Sequence, residues 1–122
     1  MPETTTTTLS PARWRSDVFV PVVDEYNEQF GTPYEDHRND LEFSEAQLDC
    51  VEVLPMIDSW QEQLKPAPDP SVDALIDTAF ERFAEGLDRC IAAETLGDWR
   101  EVGYSFEAFV DALTRISDKT AP

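Results

Sequence analysis

Apolar side chains recur every three or four residues along four stretches of the chain, which is the spacing of one face of an α-helix. In the clearest stretch, residues 70–94, the apolar positions are Ile76, Phe80, Phe83, Leu87 and Cys90. Asp69 and Pro70 stand at its start, and an aspartate followed by a proline is typical of a helix N-terminus. The pattern predicts an amphipathic helix with one buried side.

Another helix is predicted upstream, before residue 32. Its helical pattern starts at Asp17, and because Pro21 can lie only in the first turn of a helix, the helix should begin between Asp17 and Val20. Gly31 followed by Pro33 is a typical signal for the end of a helix. The next segment, residues 32–43, is rich in turn-forming residues and is predicted to be a loop.

Residues 44–64 repeat the helical spacing over about five turns. Ser44 and Gln47 have the spacing of a capping box, which predicts that the helix begins at Ser44. Pro55 interrupts the pattern, because proline removes a hydrogen bond and clashes with the preceding turn. We therefore expect a kinked helix here, or two shorter helices that meet near Leu54.

A turn at Leu96 and Gly97 separates the helix of residues 70–94 from a fourth helix, which continues to Ile116. Asp98 and Glu101 have the spacing of an acidic capping pair at its start. Four helices with polar connections predict an all-α fold. The simplest closure is an up-down-up-down four-helix bundle.

The chain of 122 residues is long enough for one domain with a single core. The helical domain is predicted over residues 14–117. A threonine-rich leader, residues 1–13, is expected to be disordered, and residues 118–122 are expected to be a frayed tail.

Charge narrows the possible partners. The chain has 26 acidic and 9 basic residues, for a net charge of −17. Nucleic acids and anionic membranes would be repelled, whereas a basic protein would be attracted. The alternative is that the acidity serves solubility or reflects the composition of the host's proteins.

The N-terminus lacks a basic start followed by an apolar run, so no signal peptide is predicted and a cytoplasmic location is expected. Cys50 and Cys90 both fall on apolar stripes. This position favours small buried thiols, and a bridge between them would require an oxidising compartment.

Catalysis is not expected. His37 is the only histidine, and it falls in the predicted loop, where it would be a solvated turn residue. A carboxylate-bridged di-iron site needs glutamates and histidines projecting inward from facing helices, and no stripe here carries them. We expect no catalytic residue, no cofactor and no metal.

The remaining signal is a set of acidic positions suited to a basic partner. The first group follows one face of the helix predicted over residues 70–94 and comprises Asp73, Asp77, Glu81 and Glu85. The second group comprises Glu35, Asp36, Asp40, Glu42, Glu45 and Asp49. Tyr34 and Trp60 are candidate aromatic anchors if they are exposed.

These features predict a small binding protein that blocks or escorts a basic partner without catalysis. It could inhibit a nuclease or toxin, as immunity proteins and antitoxins do, or mimic nucleic acid in the groove of a DNA-binding protein. One alternative is a helical adaptor or oligomerisation module that uses an apolar helix face. A second is a small-molecule sensor with a pocket at the Pro55 kink.

Overall fold

The computed structural model describes residues 8–121, and over that range the chain forms four long helices and no strand. The helices are α1 (residues 11–39), α2 (residues 43–63), α3 (Pro70–Ala92) and α4 (Leu96–Lys119). This confirms the predicted all-α four-helix bundle. Residues 1–7, which hold most of the predicted leader, and Pro122 lie outside the described residues.

The helix α1 is much longer than the sequence predicts. It begins at Pro11, where the Ser10 hydroxyl accepts a hydrogen bond from the Arg13 amide at 3.2 Å. It then continues past Gly31 and ends only at Asn39. The predicted start between Asp17 and Val20 and the predicted loop over residues 32–43 are therefore wrong for residues 11–16 and 32–39.

Two wide turns explain how α1 passes through its prolines. The segments Arg15–Phe19 and Asn27–Gly31 are π-helical, and each ends two residues before a proline. The amides of Val20 and Thr32 donate to carbonyls five residues earlier. A proline has no N–H to donate and clashes with the preceding turn, and a wide turn placed just before it relieves that clash.

The helix α2 is interrupted where Pro55 predicts it. Two α-helical segments, Phe43–Val53 and Ile57–Gln63, flank a 3₁₀ turn over Leu54–Met56. The tighter turn accommodates a proline that an α-helix interior would reject. The prediction of an interruption near Leu54 is confirmed.

The predicted capping pair of Ser44 and Gln47 is wrong, because α2 begins at Phe43 with Glu42 as its N-cap residue. The Gln47 side chain donates instead to the carbonyls of Cys90 (3.2 Å) and Ala93 (2.8 Å). These carbonyls lie at the C-terminal end of α3, where intrahelical donors run out. Gln47 therefore ties α2 to the end of α3.

The N-terminus of α3 is as predicted, since the Asp69 carboxylate accepts from the amides of Ser71 (2.8 Å) and Val72 (3.1 Å). The predicted C-terminus of α3 is wrong, because the helix ends at Ala92, before the predicted turn at Leu96 and Gly97.

The helix α4 begins at Leu96, because Thr95 and Asp98 form the capping box that the sequence analysis assigned to Asp98 and Glu101. It ends at Lys119, two residues inside the tail that was expected to fray.

The core is built around the ring of Phe83, which has no solvent exposure. Its centroid lies 4.6 Å from that of Phe109 in a stacked arrangement, and 5.5–5.9 Å from those of Tyr26, Phe30 and Phe106. Aromatic side chains from α1, α3 and α4 therefore meet at one point in the bundle.

A disulfide joins Cys50 of α2 to Cys90 of α3, with a sulfur–sulfur distance of 2.14 Å and a Cα–Cα distance of 6.5 Å. Both residues are fully buried, as their place on the apolar stripes predicts, but they form a bridge and are not the free thiols that this position favoured. Both apolar stripes reach the same level of the core, and this brings the two side chains face to face.

Contacts between helices show which helix termini lie at the same end of the bundle. The Trp14 indole donates to the Leu64 carbonyl at 3.2 Å, and Arg15 donates to Ser117 at 2.8 Å. His37 contacts Asp49 near the other end of α1. Helix α1 therefore runs antiparallel to α2, while the order of the four helices around the bundle stays a prediction.

Over residues 8–121, no helix combines the length and the apolar character that crossing a bilayer requires.

Candidate partner-binding surface

The turn between α1 and α2 has an unusual residue at its centre. The Leu41 amide donates to the Arg38 carbonyl (3.1 Å) and the Glu42 amide donates to the His37 carbonyl (2.8 Å). This is the Schellman pattern, which requires a left-handed residue at the position of Leu41. Leu41 has a φ of 60°. Glycine is the usual residue there, because a side chain at positive φ is strained.

Leu41 is also one of the most exposed large apolar residues described, with 69% of its surface accessible. A strained backbone and an exposed leucine at one position are both unfavourable for an isolated protein. Residues with a strained backbone cluster at functional sites, so Leu41 is a candidate contact residue.

Acidic side chains surround this leucine along the chain. Glu35 and Asp36 belong to the last turns of α1, Asp40 and Glu42 flank Leu41, and Glu45 lies in the first turn of α2; all five are exposed. These residues, Glu35, Asp36, Asp40, Leu41, Glu42 and Glu45, are called the acidic turn below. Five of the six predicted residues of the second acidic group thus belong to one segment of surface.

The one arginine within this segment does not pair with these acids. The Arg38 guanidinium lies over the rings of Phe43 and Trp99, 5.3 Å from each centroid. Cation–π contacts of this kind hold a guanidinium against aromatic faces. Arg38 therefore makes no ion pair with the carboxylates of the acidic turn, although its guanidinium remains charged.

Asp49, the sixth predicted residue of that group, has a different role. Its carboxylate lies 2.6 Å from His37 Nδ1, and only 13% of its side chain is exposed. His37 lies on α1 and is half-buried, so its expected place as a solvated turn residue is wrong. The pair joins α1 to α2 directly beneath the acidic turn.

The hydrogen bond to Asp49 raises the pKa of His37 above its ordinary value of 6.5, and the nearby carboxylates of Glu42 and Glu45 add to this effect. The stabilisation from the pair is therefore fully present below pH 6.5 and is lost as the pH rises through the pKa of the folded state.

We expect the stability of the wild-type protein to fall across this window relative to a His37→Gln variant. Urea denaturation of both proteins at several pH values measures the difference, and an NMR titration of the imidazole gives the pKa directly. A His37 pKa at or below 6.5 would contradict the prediction.

The first predicted acidic group, on α3, is partly neutralised. Asp77 accepts from Lys65 at 2.6 Å and from Gln61 at 3.0 Å. Glu85 lies 3.2 Å from Arg82. Asp73 is half-buried, and Glu81 is exposed. The four residues share one helix, but basic neighbours offset the charge of two of them, so this face is a weaker attractor than the acidic turn.

The candidate aromatic anchors are wrong, because both side chains are in the core. Tyr34 is 8% exposed and Trp60 is 2% exposed. Tyr34 stacks on Phe30, one turn earlier, because the expected loop is helical and turns both rings inward. Trp60 continues the apolar stripe of α2.

Leu41 is the exposed apolar residue that the sequence analysis missed. A leucine within the run Asn39 to Glu42 was the available signal, since it is the one large apolar residue among polar neighbours. Nothing in the sequence separates an exposed leucine from one that folds back onto the core, so its exposure and its positive φ required the structure.

No protein-family model matches the chain, and no curated protein or solved structure matches it.

Proposed function

We propose that this protein binds a basic protein through the acidic turn and blocks or escorts it without performing catalysis. The observation that carries the proposal is the position of Leu41, exposed and at positive φ in the middle of exposed carboxylates. Charge steers a basic partner to the surface, and a central apolar side chain supplies the contact that charge alone does not.

The distribution of charge along α1 and α2 supports the same proposal. Between Asp17 and Glu62 the chain has thirteen acidic residues and one arginine, Arg38. Because Arg38 is the one arginine among thirteen acidic residues, and this range has no lysine, little positive charge opposes this field. A negative surface of this extent speeds association with a positive partner and makes binding sensitive to salt.

Partners of the expected class have a basic groove that the acidic turn could fill. A nuclease or toxin held by an immunity-like inhibitor fits this description, and so does a DNA-binding protein occupied by a mimic of nucleic acid. In both cases inhibition is steric and electrostatic, so no bond is made or broken.

A charge-reversal experiment tests the proposal. In Asp36→Lys/Glu45→Lys two carboxylates of the acidic turn are reversed, and in Glu62→Lys/Asp118→Lys two exposed carboxylates of the opposite end are reversed. Leu64 and Ser117 both contact the start of α1, which places the control pair at that far end. Both variants carry the same net charge.

Tagged wild-type protein should retain a basic protein from a lysate of the source cells at low salt and release it at high salt. The control variant should retain the same protein, and the reversal in the acidic turn should abolish retention. Equal retention by both variants would refute the assignment of the acidic turn.

A helical adaptor is the second candidate, and exposed apolar residues on α2 favour it. Leu48, Val51 and Leu54 are 49%, 46% and 41% exposed. An apolar interface would be insensitive to salt, whereas the acidic turn requires low ionic strength. A homodimer that persists at high salt in light scattering would favour the adaptor.

The cellular compartment of the protein determines which basic proteins it can meet. The expectation of a cytoplasmic location stays a prediction, and the Cys50–Cys90 disulfide favours an oxidising environment instead. Alkylation of free thiols in rapidly quenched cells distinguishes the two.

A further inference from the structure

We infer that the outer seam between α2 and α3 docks an amphipathic helix whose apolar stripe is flanked by lysine or arginine. The two helices run antiparallel, since Gln47 donates to the Ala93 carbonyl (2.8 Å) and Gln61 donates to Asp77 (3.0 Å). The seam is the line along which they meet on the side that faces solvent.

Exposed apolar side chains from both helices lie on this seam. Cys50 and Cys90 face each other in the disulfide. Because the helices are antiparallel, the next residue of each, Val51 or Ile91, turns by about 100° to the same side of the pair. Val51 is 46% exposed and Ile91 is 39% exposed, so that side is the solvent side.

Further apolar positions extend the row at helical spacing. On α2, Leu48 and Leu54 lie three residues before and after Val51, and they are 49% and 41% exposed. On α3, Ala84 lies two turns before Ile91 and is exposed. These five residues, Leu48, Val51, Leu54, Ala84 and Ile91, are called the α2–α3 seam below. Exposed apolar patches with a polar rim mark interaction sites on protein surfaces.

Three carboxylates form the rim of the α2–α3 seam. Each stands four residues after a member of the seam, and they are Glu52, Asp58 and Asp88. Residues four apart are neighbours on a helix surface, so these carboxylates border the apolar row. All three are exposed and make no ion pair among residues 8–121. The rim therefore carries negative charge that no basic side chain offsets.

The basic residues of the two helices lie away from the seam. Residues 43–63 of α2 include five acidic residues and no lysine or arginine. On α3, Arg89 donates to Ser105 of α4 at 2.9 Å, and Arg82 lies two turns earlier on the same face. Both arginines therefore lie towards α4. A partner at the seam gains from charge only if it supplies the positive charge itself.

The apolar row and its acidic rim together select the occupant. In a two-fold dimer a second copy would place the seam against itself and bring its carboxylates together. An extended strand needs a sheet edge, and residues 8–121 form no strand. A helix with basic flanks lays its apolar stripe along the row and pairs its flanks with the rim.

Docking at the α2–α3 seam is independent of binding at the acidic turn, because the two surfaces share no residue. It gives the helical-adaptor candidate a partner of defined chemistry. A failure at the seam would leave the charge-reversal test of the acidic turn unaffected.

Titration of ¹⁵N-labelled protein with three synthetic peptides of about 18 residues, five turns of helix, tests the occupant. The first has leucines at helical spacing flanked by lysines, the second has the same composition in scrambled order, and the third has glutamate for every lysine. The first should become helical on binding, measured by circular dichroism, and shift amide signals of residues 48–54 and 84–91.

The first peptide should bind about tenfold more tightly than the scrambled peptide, and the acidic peptide should not bind. Equal affinities for the first two peptides would show that charge alone acts and would overturn the proposal. Shifts confined to other parts of the protein would overturn it as well.

Two variants of equal net charge locate the site. Val51→Ser/Ile91→Ser removes two apolar side chains of the seam, whereas Val20→Ser/Val110→Ser removes two from α1 and α4 that are 39% and 47% exposed. The seam variant should bind the first peptide about tenfold more weakly, and the control should bind it like the wild type. Equal affinities of the two variants would refute the site. A wild-type homodimer that the seam variant abolishes would assign the seam to a second copy and refute the basic helix.

Discussion

Replacing Phe83 by alanine should lower the free energy of unfolding by about 3–5 kcal/mol, the range found when a buried phenylalanine is truncated. The Phe83 ring is fully buried and contacts aromatic rings from α1, α3 and α4. Its removal therefore leaves a cavity where three helices meet. Urea denaturation followed by circular dichroism measures the loss.

Val110→Ala is the matched control for the cavity, because Val110 is 47% exposed on α4. Truncation at such a site should change the free energy of unfolding by less than about 0.5 kcal/mol. If Phe83→Ala and Val110→Ala have similar stabilities, the ring cluster is not the centre of the core.

Removal of the disulfide should lower the free energy of unfolding by an amount comparable to that expected for Phe83→Ala. The bond links residues that are 40 apart in sequence. Closing a loop of this length restricts the unfolded chain enough to stabilise the fold by about 4 kcal/mol in the chain-entropy model. Cys50→Ala/Cys90→Ala should therefore unfold at a much lower urea concentration than the wild-type protein.

A reducing agent provides the control for the disulfide. It should lower the urea midpoint of the wild-type protein towards that of the double variant and leave the double variant unchanged. A wild-type midpoint that does not respond to reduction, in protein whose free thiols confirm that the bond is broken, would contradict the prediction.

The fold could be predicted from the sequence because a helix with one buried face has apolar residues at every third or fourth position. The stripe from Ile76 to Cys90 identifies α3, and Pro55 correctly marks the interruption of α2. Both inferences depend on residues close together in the chain, where side-chain spacing and backbone geometry are directly linked.

The course of α1 could not be predicted in the same way. Pro33 is a strong helix breaker by local rules, and the wide turn Asn27–Gly31 that accommodates it has no side-chain signature in this segment. That one error placed residues 32–39 in a loop and consequently exposed Tyr34, which the helix turns into the core.

The candidate surface was predictable in its composition but not in its geometry. The acidic residues near Asp40 are visible in the sequence. Which acidic residues of the chain remain free of basic neighbours depends on contacts between distant segments. The ion pair of Lys65 with Asp77, on α3, is an example. The stacking of Arg38 on Trp99 and the exposure of Leu41 likewise appear only when α1, α2 and α4 are assembled.

The most direct test of the proposed binding surface is a measurement on Leu41→Gly with the basic protein that the wild type captures. Glycine relieves the strain at positive φ, so the variant should be more stable by about 1 kcal/mol. Because it removes the apolar anchor, its affinity for the partner should fall about thirtyfold. Leu41→Met retains an apolar side chain and should keep the affinity of the wild type.

Calorimetric titration and urea denaturation of the three proteins give both quantities. Higher stability together with weaker binding in Leu41→Gly, and near-normal binding in Leu41→Met, is the result that the proposed surface predicts. Unchanged affinity in Leu41→Gly would show that the partner does not use the acidic turn.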